Sequence, residues 1–273
     1  MSVSSNLSYK TLHPALDLAV TWELLPYNPS HTIEKPIIKA PKREQWNASE
    51  LMDAMNECES ELDYLCMAMM FACTLRSGEL AGLTWDCVHV TEESIQNNES
   101  CIIINKALQR VKREALEKAE ESGEYNFVKF PSILNARKTV VILKIPKTKR
   151  SNRRVFLPSS VARLLLEHKE IQKQQKEFFG RDYHDYGLVT AQPNGNPYKV
   201  DTFAKHFARF IGSKEFRKVD FYSLRHSSVT EKLRRSHNVK AVQGDAGDAT
   251  AQVIQDIYAG IVDEDRKYNV ELM

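Results

Sequence analysis

The chain has 273 residues, of which 42% are hydrophobic and 27% are charged, and its formal net charge is +2 at pH 7. This composition is typical of a globular protein with one large domain, or one domain plus a fragment of another. No apolar run reaches the length of about 18 residues that a transmembrane helix needs, so we expect no membrane span. The N-terminus "MSVSSNLSYKTLHP" has no basic region followed by an apolar core, so we expect no signal peptide. The five cysteines form no CxxC pair, which predicts reduced thiols and a cytoplasmic location.

The N-terminal portion predicts one helix followed by a linker. Residues 9–25 have a short helical pattern, and the next stretch, "PYNPSHTIEKPIIKAPKREQW", is rich in proline. Such a stretch is typical of an extended linker. Because one isolated helix cannot bury its own apolar face, residues 1–45 are interpreted as the end of a further domain together with its linker.

The compact portion, residues 46–273, predicts helices with a small β region. A long helix should begin at Asn47 or Ser49, run through "ELMDAMNECESELDYLCMAMMFACT" and break at "RSGELAGLTW". Strands are predicted in "SCIIINKAL", "KTVVILKI" and "RRVFLP", with "PKTKRSN" as the turn between the last two.

The remaining elements are predicted to be helical. The polar stretch "QRVKREALEKAEESGE" predicts an inserted surface helix between the first two strands. Three further helices are predicted over residues 158–179, 200–211 and 220–235, and a last helix carries Tyr258. The predicted fold class is therefore α+β, mainly α, with a helical bundle and a small antiparallel β-sheet.

Charge is segregated along the chain although the total is nearly neutral. Residues 44–75 contain seven acids and no base, residues 137–154 contain eight bases and no acid, and residues 203–240 contain ten bases and three acids. A single basic run is usually a solvated face. Two such runs favour a shared basic groove for a polyanion.

Four side chains indicate a chemistry for this groove. The chain lacks GxxxxGK[ST], GxGxxG and HExxH motifs, so nucleotide hydrolysis and zinc peptidase activity have no support. The sequence offers Arg76 at a helix break, Arg225 inside a helix, Tyr258, and either Lys147 or Lys149 in a turn. Two guanidiniums can hold the charge that builds on a phosphodiester under attack. A tyrosine can attack the phosphorus and a lysine can protonate the leaving 5′ oxygen, and this chemistry needs no cofactor.

Four stretches, in this order, resemble motifs of the tyrosine recombinases, specifically the integrases of phages and conjugative transposons from Gram-positive bacteria. They are "FACTLRSGELAGLTWDCV", "IPKTKRSNRRVFLP", "YSLRHSSVT" and "QGDAGDATAQVIQDIYAGIVDEDR". The resemblance implies that Arg76 and Arg225 bind the scissile phosphate. It further implies that Tyr258 is the nucleophile and that Lys147, rather than Lys149, is the general acid.

Three positions depart from the usual residues of this family, and one of them is Gly260, which stands after the tyrosine where a histidine is common. Tyr222 stands where histidine is more common, and a phenol can donate a hydrogen bond but cannot shuttle protons near neutral pH. Asp248 stands where histidine usually follows the glycine, and its carboxylate repels a phosphate by about 1 kcal/mol or more. His226 is expected to pack beneath the site.

The resemblance implies site-specific recombination of a mobile element on double-stranded DNA, through a 3′-phosphotyrosine intermediate and without metal or ATP. Residues 1–45 resemble the end of a core-binding domain plus linker, and residues 46–273 resemble the catalytic domain. The implied partners are duplex DNA and further copies of the chain, as a tetramer in the synapse, with an excisionase or a host DNA-bending protein as a further candidate. The predicted DNA contacts are Lys144, Lys149, Arg150, Arg153, Arg154, Lys205 and Arg209.

Two alternatives remain open from the sequence. Enzymes of this family hold DNA between the core-binding domain and the catalytic domain. A relative that only binds DNA would keep the fold and the groove, while Asp248 and the lack of half of this clamp would leave no catalysis. The chain could instead be a helical scaffold that binds other proteins, and its basic stretches would then be ordinary solvated surface. Salt-sensitive DNA binding would exclude the scaffold, and a covalent DNA adduct would distinguish the enzyme from the binder.

Overall fold

The computed structural model describes residues 3–33, 44–123, 126–130, 138–145, 152–247, 254–255, 257–261 and 270. They belong to two compact units, Met1–Arg43 and Glu44–Met273. The first unit contains helix α1 (Val3–Thr21), which begins earlier than the predicted start at residue 9, and a 3-10 turn (Pro29–Thr32). Within these described segments, no helix is both long and apolar enough to cross a membrane.

The second unit is mainly helical, with two small antiparallel sheets. Its elements in chain order are α2 (Ala48–Asn56), α3 (Glu61–Cys73), α4 (Ser77–Ala81), β1 (Val88–His89), α5 (Glu92–Gln96), β2 (Cys101–Ile104), β3 (Ala107–Lys112), α6 (Arg113–Glu121), β4 (Phe127–Lys129), β5 (Thr139–Lys144), β6 (Arg153–Phe156), α7 (Ser159–Phe179), α8 (Val200–Gly212), α9 (Ser223–Ser236) and α10 (Val239–Ala246). Residues 254–255 and 257–261 are also helical. This is the α+β, mainly α class that the sequence predicts.

The single long helix predicted before residue 75 is wrong, because the structure has two helices there. Asn47 caps α2: its side chain accepts a 2.9 Å bond from the Glu50 backbone N–H, and the Glu50 carboxylate accepts a 2.8 Å bond in return. Ser60 caps α3 by accepting a 3.2 Å bond from the Asp63 backbone N–H. Each capping side chain accepts a bond from a backbone N–H that has no partner within its helix. Because Ser60 provides such a cap in the middle of the apolar pattern, a second helix begins there.

Helix α3 lies at the centre of the hydrophobic core. Leu65, Met67, Met69 and Met70 are almost completely buried, and the helix contacts α4, α7, α8 and α9. A helix that is apolar on every side is buried on every side. The segment that follows α3, with Thr74 in a left-handed conformation at φ 51°, is therefore placed in the middle of the unit.

The β region forms two sheets, with strand orders β1-β2-β6 and β3-β5-β4. The stretch "SCIIINKAL", predicted as one strand, is divided between β2 and β3, which lie in different sheets. The predicted hairpin of "KTVVILKI" with "RRVFLP" is also wrong, because β5 pairs with β3 and β4 while β6 pairs with β2. Local alternation predicts a strand, but packing against distant elements decides its partner.

The second sheet holds α4 in place. Alternate residues of β5 face Leu116 of α6 on one side and the main core on the other. Helix α4 lies so close to β3 that a Cβ at Gly82 would come within 2.6 Å of the Leu108 backbone nitrogen. Glycine permits this approach, and it fixes the helix that begins directly after Arg76.

Candidate active site

Arg225 is buried in the first turn of α9, with 3% of its surface exposed. Its Nη1 donates to the Thr74 carbonyl, and its Nη2 donates to the Ala246 carbonyl at 2.6 Å. A charged group is costly to bury unless it is hydrogen-bonded, and these carbonyls supply the partners. Arg225 thereby connects α9 to the end of α3 and to the end of α10.

Arg76 stands at the N-terminus of α4, two residues after Thr74. Glu79, in the first turn of that helix, accepts 2.8 Å bonds from both the backbone N–H and the Nη1 of Arg76. The Arg76 side chain keeps 33% of its surface exposed. Glu79 therefore orients the guanidinium of Arg76, while part of the side chain still faces solvent.

Arg153 of β6 supplies a third guanidinium beside those of Arg76 and Arg225. These three side chains and Glu79 form the guanidinium cluster. The Nη1 and Nη2 of Arg153 donate to the two carboxylate oxygens of Glu79 at 2.9 and 2.7 Å, and its Nε donates to the Asp245 carbonyl at 2.7 Å. Only 10% of the Arg153 side chain is exposed. The sequence prediction that Arg153 is a DNA contact on an exposed groove does not fit this burial, since its guanidinium is bound to interior partners.

The cluster carries more positive than negative charge. Burial would raise the pKa of Glu79, but the bonds and charges of Arg153 and Arg76 outweigh it and hold that pKa below its ordinary value. Burial is the main cause that lowers the pKa of Arg225, and the positive charge of Arg76 lowers it further. Arg225 nevertheless remains charged, because a guanidinium is not deprotonated in proteins. Among the described residues, three guanidiniums thus surround one carboxylate. Such an excess attracts an anion.

Lys232 and Asp245 add an ion pair at the edge of this cluster. The Lys232 Nζ lies 2.6 Å from Oδ2 of Asp245, so the pair contributes no net charge. The backbone carbonyl of the same aspartate accepts bonds from Arg153 and, at 3.0 Å, from the Thr74 hydroxyl. Residue 245 therefore holds the end of α10 against both β6 and the segment after α3.

Tyr258 lies on the C-terminal helical residues, which pack against α9 and α10. Ile254 and Ile261 are seven residues apart and so share one face of the helix. They join the buried side chains of α9 and α10 in a satellite core, and Tyr258 is half-buried against it. The helix that carries the predicted nucleophile is thus packed onto the helix that carries Arg225.

Tyr222 directly precedes α9 and is half-buried. Its ring meets the ring of His226 edge-on, with 5.3 Å between the centroids. The phenol also belongs to the electrostatic surroundings of Arg225. Tyr222 therefore lies beside the guanidinium cluster, and His226 packs against it.

Four predicted site residues, Lys147, Lys149, Arg150 and Asp248, lie outside the described residues. Gly247 is the last described residue before Asp248 and has a φ of 76°, a conformation that favours glycine. A Cβ at Gly247 would meet Nη1 of Arg153 at 3.1 Å. Arg153 therefore constrains the direction of the chain immediately before Asp248.

Four of the predicted DNA contacts are exposed: Lys144, Arg154, Lys205 and Arg209. Arg154 faces away from Arg153 because adjacent residues of a strand point to opposite sides. Lys205 and Arg209 are one turn apart on α8, and Lys205 forms a 2.6 Å ion pair with Asp201. These side chains remain available to a polyanion at the surface of the second unit.

The groups that hold the arginines were not predicted from the sequence. Glu79 had a recognisable signal, because an acidic residue three positions after a helix N-cap is a capping pattern. Thr74, Asp245 and Ala246 act through backbone carbonyls, which no residue type reveals. Among the described residues, the cluster able to hold a metal ion lies elsewhere, at His13, Asp17 and His31 of the first unit.

No family model matches the chain, but individual proteins do. The tyrosine recombinase XerC-like protein of Caldanaerobacter subterraneus subsp. tengcongensis is 24% identical over 208 residues, which are 75% of this chain and 47% of that protein. The ICEBs1 integrase of Bacillus subtilis is 21% identical over 267 residues, which are 97% of this chain and 63% of that protein. The chain therefore spans less than two thirds of the length of these relatives.

Solved structures resemble the chain over most of its length. The Tn1549 transposon integrase in complex with transposon right end DNA matches with a TM-score of 0.64 and 15% identity, covering 94% of this chain and 75% of that chain. The XerH site-specific recombinase bound to its palindromic difH substrate matches with a TM-score of 0.54 and 17% identity, covering 83% and 52%. The resemblance to tyrosine recombinases and integrases is confirmed, and the chain shares the fold of these solved structures.

Proposed function

We propose that this chain carries out site-specific recombination by cleaving and rejoining DNA strands through a 3′-phosphotyrosine on Tyr258. The observation that carries the proposal is the cluster in which Arg76 and Arg225 are held beside each other with an excess of positive charge. The sequence resemblance to integrases and the shared fold support the same reaction. Duplex DNA is the substrate of this proposal.

The cluster suits the transition state of phosphoryl transfer. Attack on a phosphodiester places negative charge on the two non-bridging oxygens, and guanidiniums bind such oxygens through paired N–H groups. Arg225 has five N–H donors, and its two carbonyl bonds fix the plane of the group before DNA arrives. Donors that are oriented in advance and shielded from water stabilise developing charge without the cost of reorganisation.

Glu79 and Arg153 are positioning residues in this scheme. Glu79 binds the backbone and side chain of Arg76 on one side and both terminal nitrogens of Arg153 on the other. Neither residue needs to touch DNA to affect the reaction. A displacement of either would move Arg76 relative to the phosphate.

Tyr258 is the proposed nucleophile, and Lys147 is the proposed general acid for the 5′ oxygen. The phosphotyrosine conserves the energy of the broken phosphodiester, so the strand can be rejoined without metal or ATP. Tyr222 would donate a hydrogen bond to a phosphate oxygen rather than act as a proton shuttle.

The wider assignments belong to the same proposal. Residues 1–45 would be the end of a core-binding domain with its linker, and residues 46–273 the catalytic domain. The active form would be a homo-oligomer on DNA, a tetramer in the synapse, acting in the cytoplasm, with an excisionase or a host DNA-bending protein as a further partner. The exposed bases Lys144, Arg154, Lys205 and Arg209, together with Lys149 and Arg150, would contact the DNA backbone.

A nicked suicide substrate tests the proposed reaction. The cleaved strand then loses the 5′ hydroxyl needed for rejoining, so a covalent protein–DNA adduct should accumulate with the wild-type chain. Tyr258→Phe should abolish the adduct and retain DNA binding, whereas the matched control Tyr64→Phe, on α3, should leave it unchanged. An adduct that persists in Tyr258→Phe would defeat the assignment of the nucleophile.

Arg76→Ala and Arg225→Ala should both reduce the rate of adduct formation strongly, because each removes charge stabilisation that grows in the transition state. Tyr222→His, which introduces the commoner residue of the family, should leave the rate similar or higher. A normal rate in Arg76→Ala or Arg225→Ala would contradict the role given to the cluster.

A chain that only binds DNA is the second candidate function, and Asp248 is the residue that favours it. A carboxylate near the scissile phosphate would repel it. Asp248→His separates the two functions in the suicide assay. An adduct formed by the wild-type chain supports the enzyme, and an adduct formed only by Asp248→His supports the binding protein.

A further inference from the structure

Three potential metal ligands converge in the first unit, far along the chain from the proposed active site. His13 and Asp17 are four residues apart on α1, so their side chains lie on one face of the helix. His31 approaches them from the 3-10 turn. One ligand atom from each of the three residues lies within 4.8 Å of the other two.

Each histidine lies at a distance from the Asp17 carboxylate that is close to the separation of two ligands in a tetrahedral zinc site. Zinc binds histidine nitrogen and carboxylate oxygen at about 2.0–2.2 Å, so two ligands of a tetrahedron lie about 3.4 Å apart. The Nε2 of His31 lies 3.1 Å from Oδ1 of Asp17, and the Nε2 of His13 lies 3.7 Å from Oδ2. Small side-chain rotations would bring all three atoms to the distances of a coordinated ion.

A surrounding set of hydrogen bonds orients two of the ligands. The Nδ1 of His13 lies 2.6 Å from the Ser30 hydroxyl, which directs Nε2 toward Asp17. Asn28 donates to Oδ1 of Asp17 at 2.7 Å and to the His13 backbone carbonyl at 3.0 Å. Metal-binding histidines usually have their second ring nitrogen held in this way.

The ring of His13 is also held from its outer side. Tyr9 stacks on it with 4.9 Å between the ring centroids. The orientation of this imidazole thus favours coordination.

We infer that His13, Asp17 and His31 form a zinc-binding site, with water as the fourth ligand. Two imidazoles and one carboxylate are a donor set that zinc accepts readily. The ion would link the middle of α1 to the 3-10 turn through side chains that are separated by the loop after the helix. It would therefore stabilise the conformation of the first unit independently of the proposed DNA chemistry.

Zinc titration of the reduced, metal-free full chain tests this inference. Calorimetry should detect one Zn²⁺ per chain, and Co²⁺ should give the visible spectrum of a tetrahedral nitrogen and oxygen site. His31→Ala and Asp17→Asn should abolish this binding, while Ser30→Ala should weaken it by about tenfold because it removes the bond that orients His13. His89→Ala, an exposed histidine of the second unit, is the matched control and should bind normally.

Three results would overturn the inference. The first is binding that persists unchanged in His31→Ala and Asp17→Asn. The second is loss of binding in Cys58→Ser together with a thiolate charge-transfer band in the Co²⁺ spectrum, which would place the ion at a cysteine. The third is no binding of Zn²⁺ by a wild-type chain whose circular dichroism shows it to be folded. DNA cleavage is not needed for any of these measurements, so they are independent of the proposed recombinase function.

Discussion

Glu79 joins two of the three guanidiniums in the candidate active site, and it is 9% exposed. Its carboxylate accepts bonds from Arg76 and from Arg153. Removing one partner of a buried ion pair leaves the other charge buried without compensation, which typically costs about 3–5 kcal/mol. The stability of the second unit should therefore depend on this one side chain.

Glu79→Gln should lower the free energy of unfolding by about 3 kcal/mol at pH 7. The difference in free energy of unfolding between wild type and variant should be complete above the unfolded-state pKa of about 4.3. It should disappear as the pH falls through the lower folded-state pKa. This sign follows because the folded protein holds the pKa of Glu79 below its ordinary value, so the unfolded chain binds the proton first. Urea unfolding of both proteins from pH 7 down to acid checks it.

Glu170→Gln is the matched control for this experiment. Glu170 forms an exposed ion pair with Lys173 on α7, and exposed pairs contribute little to stability. Its unfolding curve should follow that of the wild type at each pH. A gap between wild type and Glu79→Gln that stays constant into acid would contradict the ionised state assigned to Glu79.

At the scale of single residues, the sequence predicts the chemical groups better than their supports. Arg76, Arg225 and Tyr258 are recognisable because each stands inside a motif with a chemical purpose. Thr74 and Ala246 are not recognisable, because they act through carbonyls whose positions depend on how three helices pack. A residue type can indicate a charge, but it cannot indicate which distant carbonyl the charge will meet.

Strand β6 places two arginines on opposite sides of the chain. Arg153 points inward with Val155, and Arg154 points outward with Phe156, which is 58% exposed. The alternation of a strand has a period of two, so the buried Val155 carried a signal that Arg153 faces the interior. A run of bases conceals this alternation, so the sequence predicts a DNA contact for both arginines.

Replacing Arg153 or Arg154 with alanine, one at a time, should separate the effect on stability from the effect on DNA binding. Arg153→Ala should lower the melting temperature by several degrees and slow adduct formation, because Glu79 and the Asp245 carbonyl lose the bonds that this guanidinium donates. Arg154→Ala should leave the melting temperature unchanged and reduce the slope of log affinity against log salt by about one unit. Thermal melts and DNA titrations of both variants check this prediction.

The opposite pattern would contradict the arrangement of β6. A stable Arg153→Ala variant with weakened DNA binding would place its guanidinium in the groove. An Arg154→Ala variant that melts early would place the second arginine in the interior.

At the scale of elements, the helices are predicted more completely than the sheets. Helices α7, α8 and α9 match their predicted ranges closely because their apolar periodicity is local. The sheets differ because β2 and β3, close together in sequence, pair with strands from different parts of the chain. Helix α10 is missing from the prediction, since its eight residues are too few for periodicity, although Asn238 caps it by accepting a 3.0 Å bond from the Ala241 N–H.

The cysteines report on the folded state of the whole second unit. All five are free, four are buried, and Cys58 is half-buried. Burial raises the pKa of the Cys66 thiol and raises the pKa of Cys73 to about 12. A buried thiol that remains protonated is a poor nucleophile.

A thiol reagent at neutral pH should modify Cys58 in the folded chain and the other four cysteines only after denaturation. Reductant should not change the melting temperature, because no covalent bond is broken. Fewer than five reactive thiols in the denatured chain without reductant, or a melting temperature that falls by several degrees with reductant, would reveal a disulfide.

The charge distribution of the whole molecule predicts how DNA binding responds to salt. The net charge is only +2, yet residues 137–154 and 203–240 each carry a large excess of bases over acids. Four phosphate contacts release enough counterions to reduce affinity by about a hundredfold between 50 and 200 mM salt. Titration of random-sequence duplexes at several salt concentrations checks this salt dependence. An affinity that is independent of salt would contradict DNA binding through a basic groove.

The identity of the residue that becomes covalently attached to DNA tests the proposed active site most directly. The chain has ten tyrosines, and Tyr222 lies beside the guanidinium cluster, so an adduct alone does not identify the nucleophile. Adduct from the nicked suicide substrate would be digested, and the nucleotide-bearing peptide sequenced by mass spectrometry. We expect a single phosphotyrosine at Tyr258, formed by the wild-type chain and absent from Arg225→Ala. Attachment at Tyr222 or at any other residue would contradict the assignment of Tyr258 as the nucleophile.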